Sequence, residues 1–388
     1  DLHPRVRRQR QMCIRDSLKK QNMKVRSLLF STLCMLAISV TFTSCSDDDD
    51  APWNDEGTKV ELPQRRMFIL NEGKADNNNA GIAFYAPNRD ANDSNNNFIA
   101  NIYFKQNEKQ LGDTGQDILE YEDNIYVIVS GSSLLLKLNA AAVEEARLSF
   151  SSSDGQPRYM AAKDGKIYVT LWSGKVARID SRTMKIEAYV DVNANPEQIV
   201  ENEGKLYVAN SGYGEGTDVS VIDLNTFKKE KDIPVVKNPN RILESNDEVY
   251  LLSWGIWTNV LGEGYTFQRI KSDDTVESIA VASAFAEHDD TIFLIYSDWK
   301  SDGYEHSFST YNTKTHKLTE GNFLKNAPQE LLSSSIYGFN IDPETGEFYI
   351  STSDYVSNGD IYRFKKDGTF AEKFDCGGIN PSKMIFLQ

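Results

Sequence analysis

Cysteine is scarce, with four residues in 388, at positions 13, 34, 45 and 376. Beyond residue 45 only Cys376 remains, so that part of the chain closes no disulfide and must hold together by packing. Histidine is as rare: after His3 there are only His288, His306 and His316. They form no HxH or HExxH pair and have no cysteine partner, which argues against zinc. No GxSxG turn occurs, and Ser130–Ser133 lacks the flanking glycines of a nucleophile elbow, so it reads as a hairpin tip. The glycine-rich stretch Gly212–Gly216 opens into a strand rather than a helix, which excludes a dinucleotide loop. Asp76–Asn79 and Asp90–Asn95 are rich in oxygen but lack the spacing and terminal Glu of a calcium loop. The sequence therefore calls for neither a metal nor catalysis, and a non-enzymatic protein is expected.

The apolar stretch 28–40 has 13 residues, too few to cross a bilayer as a helix. It follows Lys24 and Arg26 and precedes small residues, which is the order of an export signal over 23–44 beginning at Met23. The basic, patternless residues 1–22 are expected to be a non-native leader. Nine Lys/Arg and two Asp/Glu lie before Cys45, against totals of 42 and 57, so the remainder carries 33 against 55, a net charge of −22. Such a surface repels nucleic acid and anionic lipid.

What is present is a repeat. Seven times a short apolar and aromatic strand recurs, centred on Phe68, Tyr126, Tyr168, Tyr207, Tyr250, Phe293 and Tyr349, most steps being 39–43 residues. A period of roughly 40–50 residues built from short strands marks a β-propeller with one four-stranded blade per repeat. One copy reads as strands at 156–160, 166–171, 175–180 and 186–192, and the next at 196–200, 205–209, 218–224 and 231–235. Hairpin turns fall at Asp164-Gly165, Glu203-Gly204, Thr345-Gly346 and Asp367-Gly368. The last segment, from Asn380, reads as an inner strand without successors, and the first copy lacks an inner strand. Joining them gives an all-β, seven-bladed propeller closed by its N- and C-terminal strands over 65–388, with no free sheet edge.

In a propeller, loops joining second to third strands share one face with the connections between blades. Here those loops are 71–80, 172–174, 210–217, 254–265, 297–306 and 353–359. Four of the five tryptophans lie in them or at their entrances. The expected ligand-binding residues are Trp172, Tyr213, Trp254, Trp257, Trp299 and Tyr355, with Arg158, Arg241, Asn210 and Asn71. Aromatic rings give contact area, and amides and guanidinium groups give direction. Asn195, Asn238, Asn240 and Asn380 fall on the same side.

Phe42-Thr43-Ser44-Cys45 resembles a bacterial lipobox, which implies lipidation at Cys45. The run Ser46–Asp50 after it is similar to the surface-export signal of Bacteroides-like lipoproteins. Residues 45–64 would then be a lipidated acidic linker, and acyl chains would anchor the protein without a transmembrane helix. The pattern Pro196-Glu-Gln-Ile, Gly204-Lys-Leu-Tyr-Val-Ala-Asn, Val219-Ser-Val-Ile-Asp223 resembles the YncE-like or surface-layer propellers. Phe68-Ile-Leu-Asn-Glu-Gly73, Gly81-Ile-Ala-Phe-Tyr85, Gly112-Asp-Thr-Gly-Gln-Asp117 and Asn238-Pro-Asn-Arg241 are similar to the Bacteroidota subset that includes BtuG-type surface cobalamin-binding proteins. The resemblance implies an outer-membrane lipoprotein that captures a corrinoid and passes it to a TonB-dependent transporter, with no resident cofactor. A surface glycan- or protein-binding propeller, and a propeller lactonase or lyase, stay open as alternatives.

Overall fold

The computed structural model describes residues 53–87 and 97–387. The expected leader 1–22, the expected export signal 23–44, Cys45, the run 46–50 and the oxygen-rich stretch 90–95 lie outside the described residues. Seven four-stranded antiparallel sheets form a seven-bladed propeller. Blade 1 takes its inner strand from the C-terminus: Pro381–Leu387 pairs antiparallel with Arg66–Asn71, which then pairs with Gly81–Tyr85. The inner strands of blades 2 to 7 are Gly115–Tyr121, Pro157–Lys163, Pro196–Asn202, Pro239–Ser245, Ala284–His288 and Ile336–Ile341.

Second strands are buried on both faces, which is why they read as continuous apolar runs: Asn124–Val129, Lys166–Leu171 and Glu248–Ser253 are buried at every position after the first. Outer strands such as Lys185–Asp191 alternate between exposed and partly buried residues, because they are covered on one side only. Apolar clusters sit between neighbouring blades, for example Tyr126, Ile128 and Leu135 of blade 2 against Met160, Val169 and Ile179 of blade 3. At about 25 cal/mol per Å² of apolar surface, these interblade layers are the main source of stability where Cys376 is the single cysteine among the described residues.

In blades 2 to 6 the turns joining first to second strands hold two residues, both with positive φ, as a type I′ hairpin requires. Asp164-Gly165 and Glu203-Gly204 follow the expected chemistry, but Glu122-Asp123, Asn246-Asp247 and Asp289-Asp290 adopt the same shape without glycine. In blade 7 residues 342–347 make a longer loop, with positive φ at Gly346 and not at the expected Thr345. In blade 6 the expected loop 297–306 is mostly ladder: Thr291–Lys300 pairs with Gly303–Asn312 down to Lys300 opposite Gly303. Alternation of Ser, Asp, Tyr and His there carried no apolar signal, so the two strands were legible only to about Ser297.

Of the expected linker 45–64, the described part packs on the domain. Gln106 of helix α1 (Ile102–Asn107) accepts from the Lys59 and Val60 N–H groups, and Leu62 is buried. Arg66 joins Asp55 to the Ala140 carbonyl, on the face where the first-to-second strand turns lie.

Candidate functional site

The opposite face carries the second-to-third strand loops. In every blade but the sixth, backbone geometry ties this loop to the connection that precedes the blade. The N–H groups of Glu72, Ser130, Trp172, Ser211, Trp254 and Ser353 donate to the carbonyls of Asn380, Thr114, Gln156, Asn195, Asn238 and Ser335. Asn195, Asn238 and Asn380 have φ of 48°, 60° and 58° and each precedes a proline. These asparagines occur because they tolerate the left-handed region, so their repetition reports a turn rather than a ligand.

Just inside that connection the inner strand bulges in six blades. The ladder skips Gln116, Arg158 and Tyr159, Glu197 and Gln198, Asn240, Tyr337, and Ser382 in blades 2, 3, 4, 5, 7 and 1. A bulge re-aims side chains, and here it lines the mouth of the central channel with polar groups. Arg158 pairs with Glu197 at 2.9 Å, donates to Gln116 at 2.5 Å and lies over the Trp172 ring, with Cζ 4.3 Å from the centroid. Glu197 also accepts from Trp172 Nε1 at 3.1 Å, and Gln116 donates to the Tyr159 hydroxyl at 2.9 Å. Arg241 rests on the other part of this cluster, with Cζ 5.4 Å from the Tyr159 centroid. Glu72 accepts from the Tyr337 hydroxyl at 2.5 Å. Burial pushes the Glu72 carboxyl above its ordinary range, against the pull of Tyr337 and of Arg241 and Arg158. Burial, with Glu72 beside it, also raises the Tyr337 phenol.

Above this funnel lies an arc of exposed apolar side chains. Of the ten large hydrophobic residues exposed among those described, eight belong to this face in blades 4 to 7: Tyr213, Ile256, Trp257, Val260, Leu261, Trp299, Tyr355 and Val356. Tyr213, Trp257 and Tyr355 share a second property, φ of 57°, 62° and 65°. Left-handed backbone at a bulky residue costs roughly 1–3 kcal/mol and persists only where the surroundings impose it. Each strained ring is braced by a less exposed one. Tyr213 meets Trp172, Trp257 meets Trp254 and Tyr265, and Tyr355 meets Tyr337, with centroids 5.7–6.0 Å apart. The blade 5 loop is folded on itself through Ile256 N–H to the Glu263 carbonyl and Tyr265 N–H to the Thr258 carbonyl. Gly255 and Gly264 permit this, since a Cβ would meet the Glu263 and Thr258 carbonyl oxygens at 2.2 and 1.9 Å. In blade 7, Asp354 accepts from the Val356 and Ser357 N–H groups and fixes the Tyr355 tip.

The expected residues therefore divide. Tyr213, Trp257, Trp299 and Tyr355 are exposed on the face, Trp172 and Trp254 brace them, and Arg158 and Arg241 line the funnel. Asn210 and Asn71 are corrections: both are 1 % exposed, and their amides donate to Asp218 and Ser220 and to the Cys376 carbonyl. They end second strands, where the last side chain turns between the sheets instead of outward. Glu72, Gln116, Glu197 and Tyr337 were missed as named candidates; for the last three the signal was a place just after an interblade turn, and for Glu72 the first position of the second-to-third strand loop. His306 stands apart, on the blade 6 hairpin between two surface clefts of about 310 and 510 Å³, its Nε2 3.1 Å from the Ser334 carbonyl. Burial lowers its pKa.

Residues 65–384 match the family described as a domain of unknown function, DUF5074, and the chain belongs to that family. Among solved structures it is similar to a functionally unknown protein from Desulfotomaculum acetoxidans, with TM-score 0.55 and 10% identity, covering 83% of this chain and 98% of that one. It is also similar to the Kuenenia stuttgartiensis hydrazine synthase, with TM-score 0.53, 15% identity and coverage of 63% and 74%. A third is apo AztD from Citrobacter koseri, at TM-score 0.50 and 11% identity, covering 84% and 98%. At these identities the likeness is one of fold. No curated protein matches the chain.

Proposed function

We propose that this protein is a non-catalytic, lipid-anchored surface propeller that captures a corrinoid on the aromatic face and passes it to a TonB-dependent outer-membrane transporter. The observation that carries the reading is the arc of Tyr213, Trp257 and Tyr355, three rings held exposed at the cost of left-handed backbone. Strain retained at exposed aromatic tips is intelligible if the rings serve a partner, and preorganised rings bind without a large ordering cost. A corrin is broad and apolar on its faces and rimmed with amides, so it suits an apolar arc set over a polar funnel. The aliphatic members Ile256, Val260, Leu261 and Val356 favour this ligand over a glycan, whose hydroxyls gain nothing from them. Lipidation at Cys45 and display at the cell exterior belong to the same proposal and rest on the lipobox-like sequence and the acidic run that follows it.

Equilibrium dialysis of the purified protein against cyanocobalamin, and binding to a glycan array, test the reading. Corrin uptake that weakens in Trp257→Ala is expected, and glycan binding without corrin uptake overturns it. Protease shaving of intact cells, with Cys45→Ala as the unanchored control, tests the location.

A further inference from the structure

Two opposite charges stand on the funnel wall without closing an ion pair. The Arg241 guanidinium forms no hydrogen bond or ion pair with a described residue and is held by the face of Tyr159. Glu72 is fixed from the other side, by the Tyr337 hydroxyl on Oε2 and by its own N–H to the Asn380 carbonyl. The two feel each other electrostatically, yet each is tied to a different blade. Beside Glu72 lies the buried Ser382 hydroxyl, which stabilises the carboxylate. Guanidinium donors and a carboxylate oxygen with a hydroxyl beside it thus stand within electrostatic reach of each other on the funnel wall.

We infer that Arg241 and Glu72 together read a carboxamide of the bound ligand, a step that rests on the corrinoid reading above. An amide carbonyl accepts from the guanidinium while its N–H donates to the carboxylate. A ligand carboxylate satisfies Arg241 but is repelled by Glu72, and a ligand ammonium suffers the reverse. Only a neutral group carrying an acceptor and a donor side by side satisfies both. An amide that takes the place of water at these groups conserves their hydrogen bonds, and a ligand that lacks one is excluded.

The test compares cobinamide, whose corrin rim carries amides, with cobyrinic acid, whose rim carries carboxylates, on purified wild type, Arg241→Met and Glu72→Gln. Wild type is expected to prefer cobinamide. Arg241→Met should weaken cobinamide about 10- to 100-fold, the range for losing hydrogen bonds from a charged group. Glu72→Gln should shift the two ligands in opposite directions, weakening cobinamide and strengthening cobyrinic acid, a crossover that a merely structural role does not produce. Melting curves accompany each variant, and Arg241→Lys, which keeps the charge but not the planar fork, replaces Arg241→Met if that variant does not fold. Tighter wild-type binding of cobyrinic acid, or unchanged selectivity in both variants, overturns this inference while leaving corrinoid capture standing. No binding of either corrin by wild type overturns both.

Discussion

Tyr213 stands edge-on to Trp172, ring centroids 6.0 Å apart and planes at 83°, although the two residues belong to neighbouring blades. Trp172 is in turn clamped between the Arg158 guanidinium and the Glu197 carboxylate. A chain of contacts therefore runs from the exposed arc to the charged funnel, and the two parts of the site are one construction.

Replacing Tyr213 by glycine separates its two roles. Relief of left-handed backbone, about 1 kcal/mol, offsets a lost edge contact of about 0.5–1.5 kcal/mol, so melting should change little. Ligand affinity should fall about tenfold or more, as for an exposed aromatic anchor. By contrast Tyr250→Ala, in a fully buried second strand, should cost about 3–5 kcal/mol. A large loss of stability in Tyr213→Gly would mean that the ring is structural.

Arg158→Ala leaves Glu197, only 6% exposed, without its cation. Breaking such a pair from one side costs about 3–5 kcal/mol, whereas removing both charges restores most of it. Urea unfolding of Arg158→Ala and of Arg158→Ala with Glu197→Gln should show the double variant as the more stable. Equal stability would place the pair in water-like surroundings.

Glu72 sets a pH dependence. Its folded-state pKa lies above the ordinary 4.5 because burial disfavours the charge. The protonated form therefore contributes stability that is complete below 4.5 and is lost as pH rises through the folded value. Glu72→Gln should melt higher than wild type at neutral pH, and the advantage should vanish as pH falls below 4.5. An advantage independent of pH would assign the gain to packing.

Closure by the last strand is checked by ending the chain at Asn380. Arg66–Asn71 would lose one of its two ladder partners, and the core would lose the buried Met384, Ile385 and Leu387. The truncated chain should show no cooperative melting by circular dichroism. A wild-type transition would require another strand to fill blade 1.

These features were unequally legible in the sequence. The second strands stood out because burial on both faces makes them continuous apolar runs, anchored by aromatics such as Tyr168 and Tyr250, and the closing strand because it is an inner strand with no successor. The arc was legible because aromatic residues in loops have no packing reason to be there. The funnel was legible only in part: Arg158 and Arg241 stood out beside the interblade connections, but a bulge leaves no mark on strand periodicity, and Glu197 and Tyr337 read as ordinary inner-strand positions until the register is known. Asn71 and Asn210 misled for the complementary reason. An asparagine at a strand end is equally fit to face solvent or to turn inward onto a neighbouring carboxylate or carbonyl, and the local sequence does not distinguish the two.

The central claim, capture of a corrinoid on the strained aromatic arc, is tested most directly by passing purified protein with cyanocobalamin or cobinamide over a sizing column and reading corrin absorbance in the protein peak. Co-elution at one corrin per protein, lost when Tyr213, Trp257 and Tyr355 are replaced together by alanine, is the predicted result. A colourless protein peak at micromolar concentrations, or red protein that stays red in the triple variant, would contradict it.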